Sequence, residues 1–249
     1  MLRAHEPAPF EIVRVEGASR VVLVCDHASN RLPEALGDLG VAAHELATHI
    51  ASDLGAAKVA RHLSAMLDAT LVLSGYSRLV VDCNRPSHVA GAIPVVTGGV
   101  GIPGNDGLDE RAREARIATF FTPYHEAIAR LLDERTRSGR DPVLLSIHSF
   151  TPSLLGQARP WPIALLYGRD TRLAHAFRDR LRRDPSLNVG DNEPYRVSDE
   201  TDHTVPVHGE RRGLLHTAFE IRQDGVADDE GAHAWAHRIA TIAREIEIV

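Results

Sequence analysis

The stretch VVLVCDHASNRLP, residues 21–33, begins as an apolar run and breaks at once into Asp26, His27, Ser29 and Asn30. An unbroken apolar run bounded by polar residues reads as a strand buried on both faces, which is the pattern of a sheet covered by helices. Similar runs recur at 70–73, 79–82, 143–147, 163–167 and 215–221, and all are read as strands. Helical periodicity occupies 42–67, 109–137, 171–183 and 231–248. Strands alternating with helices predict a layered α/β domain with a largely parallel or mixed sheet. In such a sheet ligands bind outside the carboxyl ends of the strands, which is where Asp26 and His27 fall.

The chain has 249 residues, 43% hydrophobic and 25% charged, with a net charge of −6. This is ordinary globular composition, and no linker, repeat or low-complexity tail divides it, so one domain over 1–249 is expected. The acidic balance offers no field for nucleic acid. No apolar run has the length of a membrane span, and the N-terminal stretch lacks a signal-peptide core, so a cytoplasmic location is expected. Cys25 and Cys83 fall on predicted strands and read as small buried hydrophobes of a reduced protein. Two segments, 86–107 and 184–213, are turn-rich and aperiodic, and loops of that length tend to serve a site.

Three further polar clusters punctuate the strands. YSRLVVDCNRP (76–86) carries Arg78, Asp82, Asn84 and Arg85; in LLSIHSFTP (144–152) the apolar strand ends on His148; HTAFEIRQD (216–224) holds Glu220 and Arg222 on one face. Two histidines just past apolar strands suit a catalytic metal site, which takes three protein ligands and leaves one position open. For the third ligand, Asn30 offers only an amide oxygen. Asp53, on the apolar stripe of the 42–67 helix, is the better donor, and Asp26 serves either as ligand or as acceptor for an imidazole. Glu220 reads as general base. Asn84 and Arg85 read as a grip on a substrate carboxylate, with Arg78 and Arg222 available for a second anionic group or the scissile carbonyl. Asp82 reads as support for the arginines. His44, His49, His62, His125, His175, His233 and His237 fall on helices and are expected to face solvent, while His203, His208 and His216 stay unassigned.

In this order, DHASNRLP, YSRLVVDCNRP, SIHSFTP and HGE…FEIRQD resemble the N-formylglutamate amidohydrolase family, over about residues 20–225. That family is similar in turn to zinc carboxypeptidases and aspartoacylases. The resemblance implies a three-layer α/β/α domain with a central mixed sheet and one zinc, or another divalent ion, per chain. It implies His27 and His148 as metal ligands, Asp53 in place of the glutamate that stands at the Asn30 position in the wider group, and Glu220 as the catalytic carboxylate. Asn84, Arg85 and Arg78 match the substrate-binding residues. The implied reaction is hydrolysis of the formyl amide of N-formyl-L-glutamate, a step of histidine degradation, acting on a small acidic N-acyl amino acid. A carboxypeptidase, a peptidoglycan-type amidase or a non-catalytic protein that retains the pocket are the alternatives.

Overall fold

The computed structural model describes all residues, 1–249. Its strands are β1 (Phe10–Val13), β2 (Val21–Cys25), β3 (Thr70–Ser74), β4 (Val96–Thr97), β5 (Val100–Gly101), β6 (Val143–Phe150), β7 (Ser153–Leu154), β8 (Gln157–Ala158), β9 (Ile163–Leu166), β10 (Val189–Asp191) and β11 (Leu215–Arg222). The helices are α1 (Ala43–Leu46), α2 (Ala56–Leu67), α3 (Glu110–Arg116), α4 (Thr122–Arg137), α5 (Arg172–Leu181) and α6 (Asp229–Glu245). Seven strands form one mixed sheet in the order β1-β3-β2-β6-β11-β9-β10, and β4-β5 and β7-β8 are two-residue-per-strand hairpins. β3, β2, β6 and β11 run parallel, while β1 and β9 are antiparallel to β3 and β11. No helix is long and apolar enough to cross a membrane.

The apolar runs are explained by burial on two faces. Along β2, Val21, Leu23 and Cys25 pack into the core shared with α2, α5 and α6, while Val22 and Val24 pack with Tyr124, Ile128 and Leu132 of α4. Along β6, Val143, Leu145 and Ile147 join the first core and Leu144 the second. Alternate residues of a strand point to opposite faces, so a strand sandwiched between helix layers must be apolar at every position. This is the expected three-layer α/β arrangement.

Three expectations are corrected. Residues 79–82 are not a strand: Leu79, Val80 and Val81 are buried, but in a turn and the irregular stretch that follows it. Side chains take the place of ladder partners there, Asn105 Nδ2 donating to the Leu79 carbonyl at 2.8 Å and Arg116 Nη1 to that of Val80 at 3.2 Å. Cys83 consequently lies in a turn, buried and unpaired like Cys25. The 42–67 helix is broken between α1 and α2. Gly55 forms the break, in the left-handed region at φ +82, where a Cβ would sit 2.3 Å from the Val226 carbonyl oxygen. Only glycine fits such a position.

Candidate active site

On the α4 side of the sheet, side chains turn from apolar to polar along the parallel strands: Val22, Val24, then Asp26; Leu144, Ser146, then His148; Ala218, then Glu220. His27 follows at the β2 terminus. Asp53 lies in the turn before α2 rather than on a helix stripe, with its N–H donating to the His27 carbonyl at 3.0 Å. The break at Gly55 therefore delivers a buried carboxylate to the strand ends.

His27, Asp53 and His148 come together with one donor atom each within 4.8 Å of the others. The Nδ1 atoms of both imidazoles face the same oxygen, Asp53 Oδ2, at 3.2 Å from His27 and 2.8 Å from His148. Their other nitrogens are held by carboxylates. His27 Nε2 is 2.7 Å from Asp82 Oδ1, and His148 Nε2 is 3.1 Å from Asp26 Oδ2 and 3.0 Å from Ser146 Oγ. A carboxylate behind each imidazole fixes its tautomer and orientation, as second partners do in metal sites. Asp26 is held in turn by Tyr124 at 2.9 Å and Thr204 at 2.7 Å.

The charges fit a cation. Burial works against ionising Asp26, Asp53 and Asp82, yet His148, His27 and Arg78 outweigh it and hold all three well below the usual carboxylate range. Burial likewise opposes charge on His27 and His148, but the surrounding carboxylates raise both above the ordinary imidazole value. Without a metal, the positive charge that the three buried carboxylates demand beyond Arg78 comes from protonated His27 and His148. A divalent cation among neutral imidazoles meets that demand, and two imidazoles with one carboxylate suit a borderline ion such as zinc.

The site opens into a cavity of about 440 Å³ lined also by Arg78, Asn84, Arg85 and Glu220. Glu220 is buried, and its Oε2 has no hydrogen-bond partner. Burial, aided by the charge of Asp53 and opposed by His148, His27 and Arg78, pushes its carboxyl up to about 7. Arg78 is committed to carboxylates, 2.6 Å from Asp82 Oδ2 and 3.6 Å from Asp53 Oδ1. Arg85 is freer, its only ion pair a 3.5 Å contact to Asp82. Asn84 lines the wall, but its amide is used there: Nδ2 donates to Asp202 at 3.3 Å and Oδ1 accepts from the Thr204 N–H at 3.1 Å. Arg222 stands apart from the cavity, donating from Nε to Asp224 at 2.8 Å and from Nη1 to the Arg159 carbonyl at 3.1 Å. It shares a strand face with Glu220, but the strand ends there and its long side chain turns to the outer loop. Both turn-rich segments wall the cavity, 86–107 through Thr97 and Gly98 and 184–213 through Tyr195, Arg196 and Val205. His49 also lines it and His125 is buried, so neither faces solvent as expected. Arg196, which pairs with no carboxylate, was hidden from sequence reasoning because nothing in an aperiodic segment shows where it folds.

The model of the N-formylglutamate amidohydrolase family matches residues 19–227. The chain belongs to that family. Membership makes it a hydrolase of the amidohydrolase kind. The gene product Atu2144 of Agrobacterium tumefaciens has a similar structure, with a TM-score of 0.94 and 38% identity over 98% of this chain and 96% of that one. An N-formylglutamate amidohydrolase from Ralstonia eutropha JMP134 is similar in fold, with a TM-score of 0.69 and 19% identity over 96% of this chain and 97% of that one. No curated protein matches.

Proposed function

We propose that the chain is a metal-dependent hydrolase of linear amides that removes the N-formyl group from an acidic amino acid such as N-formyl-L-glutamate. The observation that carries this reading is the meeting of the His27–Asp53–His148 cluster and Glu220 in one cavity. His27, Asp53 and His148 would hold a zinc or other divalent ion, which would supply Lewis acidity toward the amide carbonyl and the attacking water.

The residues of the chain supply the rest. Glu220, with one unpartnered oxygen and a carboxyl near neutral pH, accepts a proton from the attacking water and delivers it to the amide nitrogen as the C–N bond breaks. Formate and the free amino acid are the products. Arg85 holds a substrate carboxylate through a guanidinium fork. Arg78 neutralises Asp82 and Asp53, and Asn84 holds the wall at 202–204. The cavity volume, about 440 Å³, suits a small N-acyl amino acid. The whole chain, 1–249, acts as a single catalytic domain, and two free buried cysteines are compatible with a cytoplasmic role in histidine degradation.

Formate release from N-formyl-L-glutamate, compared with N-formyl-L-leucine and N-acetyl-L-glutamate in the presence of Zn²⁺, tests the reading. Preference for the formylated acidic substrate supports it. Absence of hydrolysis of every N-acyl amino acid by the metal-supplied protein refutes it.

A further inference from the structure

A second set of three histidines lies behind the wall of the cavity. His125 on α4 and His203 and His208 on the 196–213 segment bring one ring nitrogen each to within 4.8 Å of the others. His125 Nε2 lies 2.7 Å from the Cys83 carbonyl, which can only accept, so the proton of that ring sits on Nε2 and a lone pair on Nδ1. That lone pair faces His208 Nε2 at 3.0 Å. Two imidazoles on one zinc ion, at about 2.0–2.1 Å each, place their nitrogens about 3.3 Å apart, so the two rings need to part by only a few tenths of an ångström. His208 Nδ1 is buried without a partner, so the proton that bridges His208 Nε2 to His125 Nδ1 has a free ring position to occupy when Nε2 turns to a metal. Burial pushes His125, His203 and His208 down to about 3, 4 and 2, so all three are neutral ligands at physiological pH.

The backbone on both sides departs from ordinary helix. Ile117–Phe121, directly before α4, and Val205–Gly209, which carries His208, are π-helical, a geometry that recurs at functional sites. An anionic counterweight is close: Tyr124 and Thr204, the chain neighbours of His125 and His203, both donate to Asp26 Oδ1.

We propose that His125, His203 and His208 form a second metal site, for zinc or another late first-row divalent cation, separate from the His27–Asp53–His148 cluster. All-imidazole ligation favours such ions over calcium or magnesium. The site is structural: it clasps the segment that supplies Tyr195, Arg196 and Val205 to the cavity wall onto α4. Through Thr204 and Asp26 it also borders the group that orients His148.

The test removes the first site and looks for the second. The full chain carrying Asp53→Ala is stripped with chelator and titrated with Zn²⁺ by calorimetry and with Co²⁺ by visible absorption. About one equivalent is expected to bind and to raise the Tm, since a ligand that binds only the folded state stabilises it. Adding His203→Ala, at the least buried of the three, is expected to abolish both the binding and the Tm rise while leaving the circular dichroism of the metal-free chain unchanged. His125→Gln is expected to do the same by an independent route. Absence of a bound equivalent in a folded Asp53→Ala chain, or binding that survives both histidine substitutions, overturns the proposal and leaves a hydrogen-bonded imidazole stack only.

Discussion

Glu220 stands directly opposite His148 in the parallel ladder between β11 and β6, each the other's Cα partner. The register of two central strands thus sets the separation between a histidine of the His27–Asp53–His148 cluster and the carboxylate proposed as base, with no loop between them to flex. Glu220→Gln keeps the shape and removes the proton acceptor. A fall in kcat of about 10²–10⁴-fold is expected, with metal content unchanged. Turnover near that of the parent takes Glu220 out of the role.

The pH profile follows from the same carboxyl. A base must be ionised to act, and burial places Glu220 at about 7. A divalent ion nearby draws it lower. The value of kcat/KM is therefore expected to rise with pH along a limb at or below about 7, and Glu220→Gln is expected to remove that limb from whatever activity remains. An activity that falls as pH rises through this range contradicts the assignment.

Asp26 accepts from His148, Tyr124 and Thr204 at once. Thr204→Val deletes one of those bonds without adding bulk and leaves Asp26 Oδ1 to Tyr124 alone. Metal affinity at the His27–Asp53–His148 cluster is expected to weaken severalfold, less than the roughly 10–100-fold that follows loss of the partner behind a ligating histidine itself. Chelator competition with zinc reads this directly, and parent-like affinity shows that Asp26 needs no support from Thr204.

Arg85 has one long contact, to Asp82, and a side chain 38% exposed at the cavity. Loss of the fork, each of whose charge-assisted hydrogen bonds is worth about 1.5–3 kcal/mol, is expected to raise KM at least about 10-fold in Arg85→Ala with kcat nearly unchanged. Steady-state kinetics on N-formyl-L-glutamate and a neutral N-formyl amino acid identify the carboxylate it holds. An equal rise for both assigns Arg85 to the α-carboxylate; a rise for the acidic substrate alone assigns it to the side chain.

The central strands were legible because burial on both faces imposes continuous apolar runs, and β2, β6 and β11 lie where those runs do. Strand edges were not: β1 and β10 are short and only partly apolar, as edge strands tend to be. Leu79–Val81 imitates a strand because it is just as buried, but Asn105 and Arg116 satisfy its backbone, an arrangement that depends on residues far along the chain. Asp53 is legible by its chemistry but not by its local structure, since a broken helix keeps much of the apolar spacing of a whole one. Arg222 shows the limit of face arithmetic at a strand terminus. The packing of His125 against the 196–213 segment is a tertiary event that no local period announces.

The metal content of the purified protein, measured beside the Asp53→Ala and His27→Ala variants, bears most directly on the His27–Asp53–His148 cluster as the catalytic metal site. Each variant is expected to hold about one equivalent of divalent metal less per chain than the parent and to lose amide hydrolysis with it. Equal metal content in parent and both variants, after reconstitution with zinc, contradicts that assignment and the mechanism built on it.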